Sequence, residues 1–65
     1  MKIREVIRLI ESDGWWHVRI RGSHRQFRHL LKPGAVTVSG KLGADVPRGT
    51  LNSILKEAGL RRSQE

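Results

Sequence analysis

The apolar residues of this chain change their repeat twice, and those changes restrict the order of its elements. Ile3, Val6, Ile7 and Ile10 recur at three- and four-residue steps, as one face of a helix does. The spacing predicts a helix over 2–13. Gly14 suits the left-handed position after a helix end, with Trp15 folding back as the apolar contact of a Schellman ending. From Trp16 the repeat drops to two. Trp16, Val18 and Ile20 alternate with His17, Arg19 and Arg21, the pattern of a half-buried strand whose apolar members face the core. The helical repeat returns at Leu51, Ile54, Leu55 and Ala58. Asp45 is the expected N-cap of that helix, Pro47 falls in its first turn, and Gly59-Leu60 repeats the ending seen at Gly14-Trp15. Residues 61–65 read as a frayed tail.

Two turn signals set the middle of the chain. Gly22-Ser23 suits a two-residue type II′ hairpin, with glycine in the first central position. Folding there places Arg21 opposite His24, Arg19 opposite Gln26 and Val18 opposite Phe27. Lys32-Pro33-Gly34-Ala35 has the proline and glycine positions of a type II turn. Folding there places Leu31 opposite Val36 and His29 opposite Val38, although type II is not a favoured hairpin turn and a longer loop is the alternative. Ser39 to Ala44 reads as a loop. The expected fold is α+β, in the order α-β-β-β-α, with a three-stranded antiparallel sheet and both helices on one face.

A chain of 65 residues without cysteine makes one domain, taken as residues 1–65, near the lower size limit for folding on its own core. A partner is therefore expected to supply part of the stability in use. Lys and Arg outnumber Asp and Glu by 13 to 6, for a net charge of +7. That balance favours an anionic partner, most often nucleic acid. No segment approaches the roughly 18 apolar residues of a membrane span, and no signal-peptide core opens the sequence. A cytoplasmic location and no membrane partner are expected.

On this register the uncovered face of the sheet carries Arg19, Arg21, His24, Gln26, Arg28, Leu30 and Thr37. Its arginines can grip phosphate oxygens in bidentate fashion, against the plainer reading of an ordinary solvated face. His24 and His29 are five residues apart, so an unbroken strand sends them to opposite faces. His29 reads as a hydrogen-bonded structural residue, and His17, placed across from Arg28, as a surface one. The three do not converge, so no zinc site is expected. His24 stands beside the tight turn with Arg21, Arg25 and Arg28 around it. An imidazole among cationic phosphate clamps is the pairing that base-assisted phosphodiester cleavage requires, although it can also simply contact phosphate. The carboxylates are scattered, and no phosphate-binding loop or dinucleotide fingerprint is present. Both tryptophans read mainly as core, with Trp15 the better candidate for an exposed stacking residue.

Four segments together resemble the HicA toxins of bacterial type II toxin–antitoxin systems: GW at 14–15, GSHRQFRH at 22–29, KPGAVTV at 32–38 and DVPRGTLNSILKEAGL at 45–60. The likeness runs in register from the first helix to Leu60, and the GSHRQF strand followed by the PRGTLNSILKEAGL helix is its specific part. The chain departs just after VTV, where many members carry Pro-His and this one has SGKLGA. A role for that loop histidine therefore does not carry over. The resemblance implies a fold similar to double-stranded RNA-binding domains and an endoribonuclease (an mRNA interferase) that needs no translating ribosome. It implies a catalytic histidine in the GSH motif, here His24, and a cognate HicB-like antitoxin covering the active face. On that reading Arg21, Arg25 and Arg28 hold phosphate, and Gly22 and Ser23 shape the turn. The substrate is single-stranded or structured mRNA, and no metal or other cofactor is expected to be required. Water, His24 itself and Lys41 stay open as the donor to the leaving oxygen. The rivals are a non-catalytic double-stranded RNA-binding module and a protein-interaction module with an acidic partner. Double-stranded RNA binders usually carry lysines at the start of the last helix, where this chain has only Arg48.

Overall fold

A computed structural model describes residues 1–60, and the tail expected at 61–65 lies outside the described residues. Helix α1 (Ile3–Ser12) is followed by strands β1 (Trp15–Arg21), β2 (His24–His29) and β3 (Val36–Ser39) and by helix α2 (Arg48–Glu57). The strands form one antiparallel sheet in the order β1-β2-β3. Ile3, Val6 and Ile10 of α1 and Ile54 and Ala58 at α2 close over Trp15, Phe27, Val36 and Val38, with Val46 joining from the loop. All four sheet residues lie on one face, so both helices cover that face and leave the other open. The Trp15 indole N–H donates to the Ala58 carbonyl at 3.3 Å, which satisfies the one polar atom that this large ring buries.

The ends of the helices follow ordinary capping physics, with one correction. Leu60 N–H donates to Leu55 O at 2.8 Å and Gly59 N–H to Lys56 O at 3.1 Å, the paired bonds of a Schellman ending. Asp45, expected to cap α2, does not. Pro47 takes the N-cap position, and no side chain caps the helix there. Asp45 instead sits beside Lys2, whose ammonium lies 3.0 Å from its carboxylate and holds that carboxyl below its ordinary pKa by hydrogen bonding and charge. The backbone explains this: Val46 N–H donates to Met1 O and Ile3 N–H to Ala44 O, pinning residues 44–46 against the start of α1.

Gly22 has φ +60°, and Ser23 does not have positive φ, the combination of a type II′ turn. The pairs Arg21–His24 and Arg19–Gln26 form as expected. Beyond them the register breaks at a β-bulge between His17 and Arg19, so Val18 has no partner. His17 rather than Val18 then lies opposite Phe27, their rings 5.5 Å apart, and Trp16 rather than His17 lies opposite Arg28. One extra residue reverses which side chains face inward. The expected core residues Trp16 and Val18 are therefore 46% and 47% exposed and Ile20 is 57% exposed, while Trp15, expected mainly as core but the better candidate of the two rings for exposure, is buried at 2%. Ile20 does lie on the helix side, opposite Arg25, but at the hairpin end.

The second hairpin also differs from its simplest reading. Phe27 pairs with Val36, Gln26 with Thr37, Arg25 with Val38 and His24 with Ser39, so Leu31–Val36 and His29–Val38 do not form. Residues 30–35 make the longer loop, because an unprimed type II turn twists against the strands it would join. His29 ends the strand by filling both ring nitrogens. Nε2 bonds Asp13 O at 2.6 Å, while Nδ1 accepts from Leu31 N–H at 3.0 Å and Lys32 N–H at 3.2 Å. Gly14 is required at this junction. Its φ is +105°, and a Cβ would sit 2.7 Å from His29 Nε2. Lys32 completes the clasp, donating from Nζ to the Asp13 carboxylate and, at 2.9 Å, to Ala58 O.

Candidate nucleic-acid interface

Strand pairing arranges the open face as rows across the sheet. Arg21, His24 and Ser39 form the row nearest the hairpin turn, Arg19, Gln26 and Thr37 the next, and Trp16 with Arg28 the third. Arg19, Arg21, His24, Gln26 and Thr37 line a shallow depression of about 170 Å³. That is smaller than the roughly 300–1,000 Å³ of small-molecule pockets, and it suits the grip of a passing chain better than enclosure of a ligand.

The electrostatics of this face follow from composition. None of the three strands contains an Asp or Glu. Among the described residues neither Arg19 nor Arg21 is paired with a carboxylate, and the acidic groups that do pair, Asp13 and Asp45, lie at the ends of α1 and before α2. Two guanidinium groups thus flank an imidazole with no local countercharge. A phosphodiester laid across the rows would supply it, through bidentate hydrogen bonds and released counterions.

His24 is exposed, and one ring nitrogen is engaged: Ser39 Oγ lies 3.0 Å from Nδ1. In the tautomer with the proton on Nδ1, the imidazole donates to Ser39 and Nε2 is left with a free lone pair. Ser39 thereby limits ring rotation and occupies Nδ1, which leaves Nε2 as the nitrogen turned to a ligand. Ser39, expected in a loop, instead ends β3. Its signal was the two-residue step from Thr37, which places both hydroxyls on the open face.

The other expected site residues separate. Arg21 stands in the same row as His24. Gly22 and Ser23 form the turn, and Ser23 O accepts from Gly40 N–H at 3.3 Å, tying that turn to the end of β3. Arg28 shares the face but lies four residues along β2, about 13 Å from His24 by strand rise, and its guanidinium donates to Gly34 O at 3.3 Å. Arg25 is on the opposite side of the sheet, between Ile20 and Val38. Its guanidinium donates to Gly40 O at 2.8 Å and Ser23 O at 3.3 Å. The expected grouping of Arg25 with Arg21 and Arg28 is corrected by strand parity. His17 and His29 face the helix side, and among the described residues no three His, Asp or Glu side chains gather to hold a metal ion.

The family model described as "HicA toxin of bacterial toxin-antitoxin" matches residues 3–60, which takes in every element from α1 to the cap of α2. No curated protein matches the chain at a significant level.

Proposed function

Because the chain belongs to the HicA family of bacterial toxin–antitoxin toxins, we propose that it is an endoribonuclease whose catalytic group is His24. The observation that carries this reading is an imidazole held by Ser39 on a basic face without carboxylates. RNA lies across the strands with one phosphate between Arg21 and His24. His24 Nε2 takes the proton from the ribose 2′-hydroxyl, the 2′-oxygen bonds to phosphorus, and the bond from phosphorus to the 5′-oxygen breaks. Arg21, with Arg19 in the neighbouring row, stabilises the charge that builds on the non-bridging oxygens. The leaving 5′-oxygen takes a proton from water or from the His24 imidazolium. The products are a 2′,3′-cyclic phosphate and a 5′-hydroxyl end.

Ser39 acts as a positioning residue and Arg25 as a brace for the turn that presents His24. The same face is what a cognate HicB-like antitoxin covers, by bringing acidic groups to Arg21 and His24. Incubating the purified protein with a long RNA in EDTA tests the proposal. Cleavage that leaves cyclic phosphate ends, and that stops when the 2′-hydroxyl is methylated, is expected. Intact RNA at stoichiometric protein would overturn the enzymatic reading.

A further inference from the structure

Trp16 is an aromatic side chain on a polar face, and neither the core nor the proposed chemistry uses it. Its neighbour Trp15 is buried at 2% exposure and bonded to Ala58, whereas Trp16 is 46% exposed opposite Arg28. The bulge at Val18 is what puts it there. In an unbroken strand, residues 16 and 19 would point to opposite faces. With one residue inserted, Trp16 joins Arg19, Arg21, Gln26 and His24 on the open side. Bulges re-aim side chains next to functional sites, and here the re-aimed side chain is the largest on the face.

We propose that the Trp16 indole is a stacking platform for an unpaired base of the RNA, about 13 Å along the sheet from the scissile phosphate at His24. This rests on the reading of the open face as an RNA site and narrows the substrate to single-stranded RNA at that position. Only a base freed from its neighbours offers a π-face to a protein ring; a duplex keeps its bases stacked internally. The arginine rows carry the backbone and the indole carries a base, the combination by which single strands are held without a sequence code. Arg28, tied to Gly34 O, flanks the ring as a second cation for the same segment.

The test uses 2′-O-methyl oligoribonucleotides, which keep bases and phosphates but lack the attacking hydroxyl. Binding of a single strand should quench part of the tryptophan emission, and Trp16→Phe, which leaves only Trp15, should abolish that quenching. Trp16→Ala should weaken single-strand binding about tenfold, as loss of one stacked base does, with Trp16→Phe intermediate. A blunt duplex should bind all three proteins alike. Unchanged emission of Trp15 reports an intact fold in each variant. Equal single-strand affinity of wild type and Trp16→Ala would overturn the proposal and leave the cleavage reading standing. The same equality with a weakened antitoxin complex would assign the ring to a protein contact instead, and absence of any RNA binding would remove both readings.

Discussion

Replacing Arg25 by alanine should cost stability and leave the phosphate grip intact, the reverse of what a substrate-binding arginine would do. The Arg25 guanidinium donates to Gly40 O at 2.8 Å in a partly buried setting and to Ser23 O at 3.3 Å in an exposed one. A hydrogen bond from a charged donor contributes ~1.5–3 kcal/mol. The longer, wetter bond adds little, and both carbonyls regain water in the variant, so the loss should lie near the bottom of that range. For a domain of this size about 1.5 kcal/mol lowers the melting temperature by roughly 6–12 °C. Arg21→Ala is the contrast, since the Arg21 side chain makes no hydrogen bond to protein among the described residues. Its stability should stay within about 0.5 kcal/mol of wild type, while the slope of log affinity against log salt for single-stranded RNA should fall by about 0.7, one phosphate contact. Urea unfolding and salt-dependent binding of a 2′-O-methyl oligonucleotide measure the two quantities. An Arg25→Ala protein with an unchanged urea midpoint and a reduced salt slope would refute the assignment.

Ser39→Ala should slow cleavage about fivefold, the worth of one net hydrogen bond of ~1 kcal/mol, with Ser39→Thr recovering most of the rate. An alanine variant at full rate would show that His24 needs no orienting partner. Phe27, at 1% exposure in the centre of the sheet, should cost about 3–5 kcal/mol on truncation to alanine. A chain of this length has only about 3–10 kcal/mol in total, so a cooperative melt near the wild-type temperature would contradict the core described above. The Lys32 hydrogen bond, aided by the charges of Lys32 and His29, holds the Asp13 carboxyl below its ordinary value. The folded pKa is depressed, so the clasp stabilises fully above about pH 4, the unfolded value, and its contribution is lost as pH falls through the folded one. Asp13→Asn should therefore lower the urea midpoint at neutral pH and converge with wild type in acid. A gap that stays constant with pH would remove Asp13 from the clasp.

Element order and the turn at Gly22 were legible because periodicity and turn chemistry are local. The residues at which expectation and structure part are those that depend on something non-local. Nothing in WWHVRIR distinguishes a regular strand from a bulged one, since either gives half-buried alternation. Only the competition of Trp15 and Trp16 for the same core position, settled by packing under α2, decides it. Asp45 was drawn from α2 by Lys2, distant in sequence and adjacent in space. In the candidate site, His24 and Arg21 were readable from the hairpin register. Ser39 was not, because its contact crosses from β3 to β2 and needs the true length of the second loop. Arg25 adjoins His24 in sequence, but alternation along β2 sends its side chain to the helix side, away from the charges of the open face.

The most direct measurement is the single-turnover rate at which His24→Ala cuts RNA in EDTA, with unfolding curves run alongside. The side chain is exposed, so the variant should be as stable as wild type to within about 0.5 kcal/mol. Loss of the general base should reduce the rate by about 10²–10⁴. A folded His24→Ala protein that still cleaves within a few-fold of wild type would contradict the account at its centre.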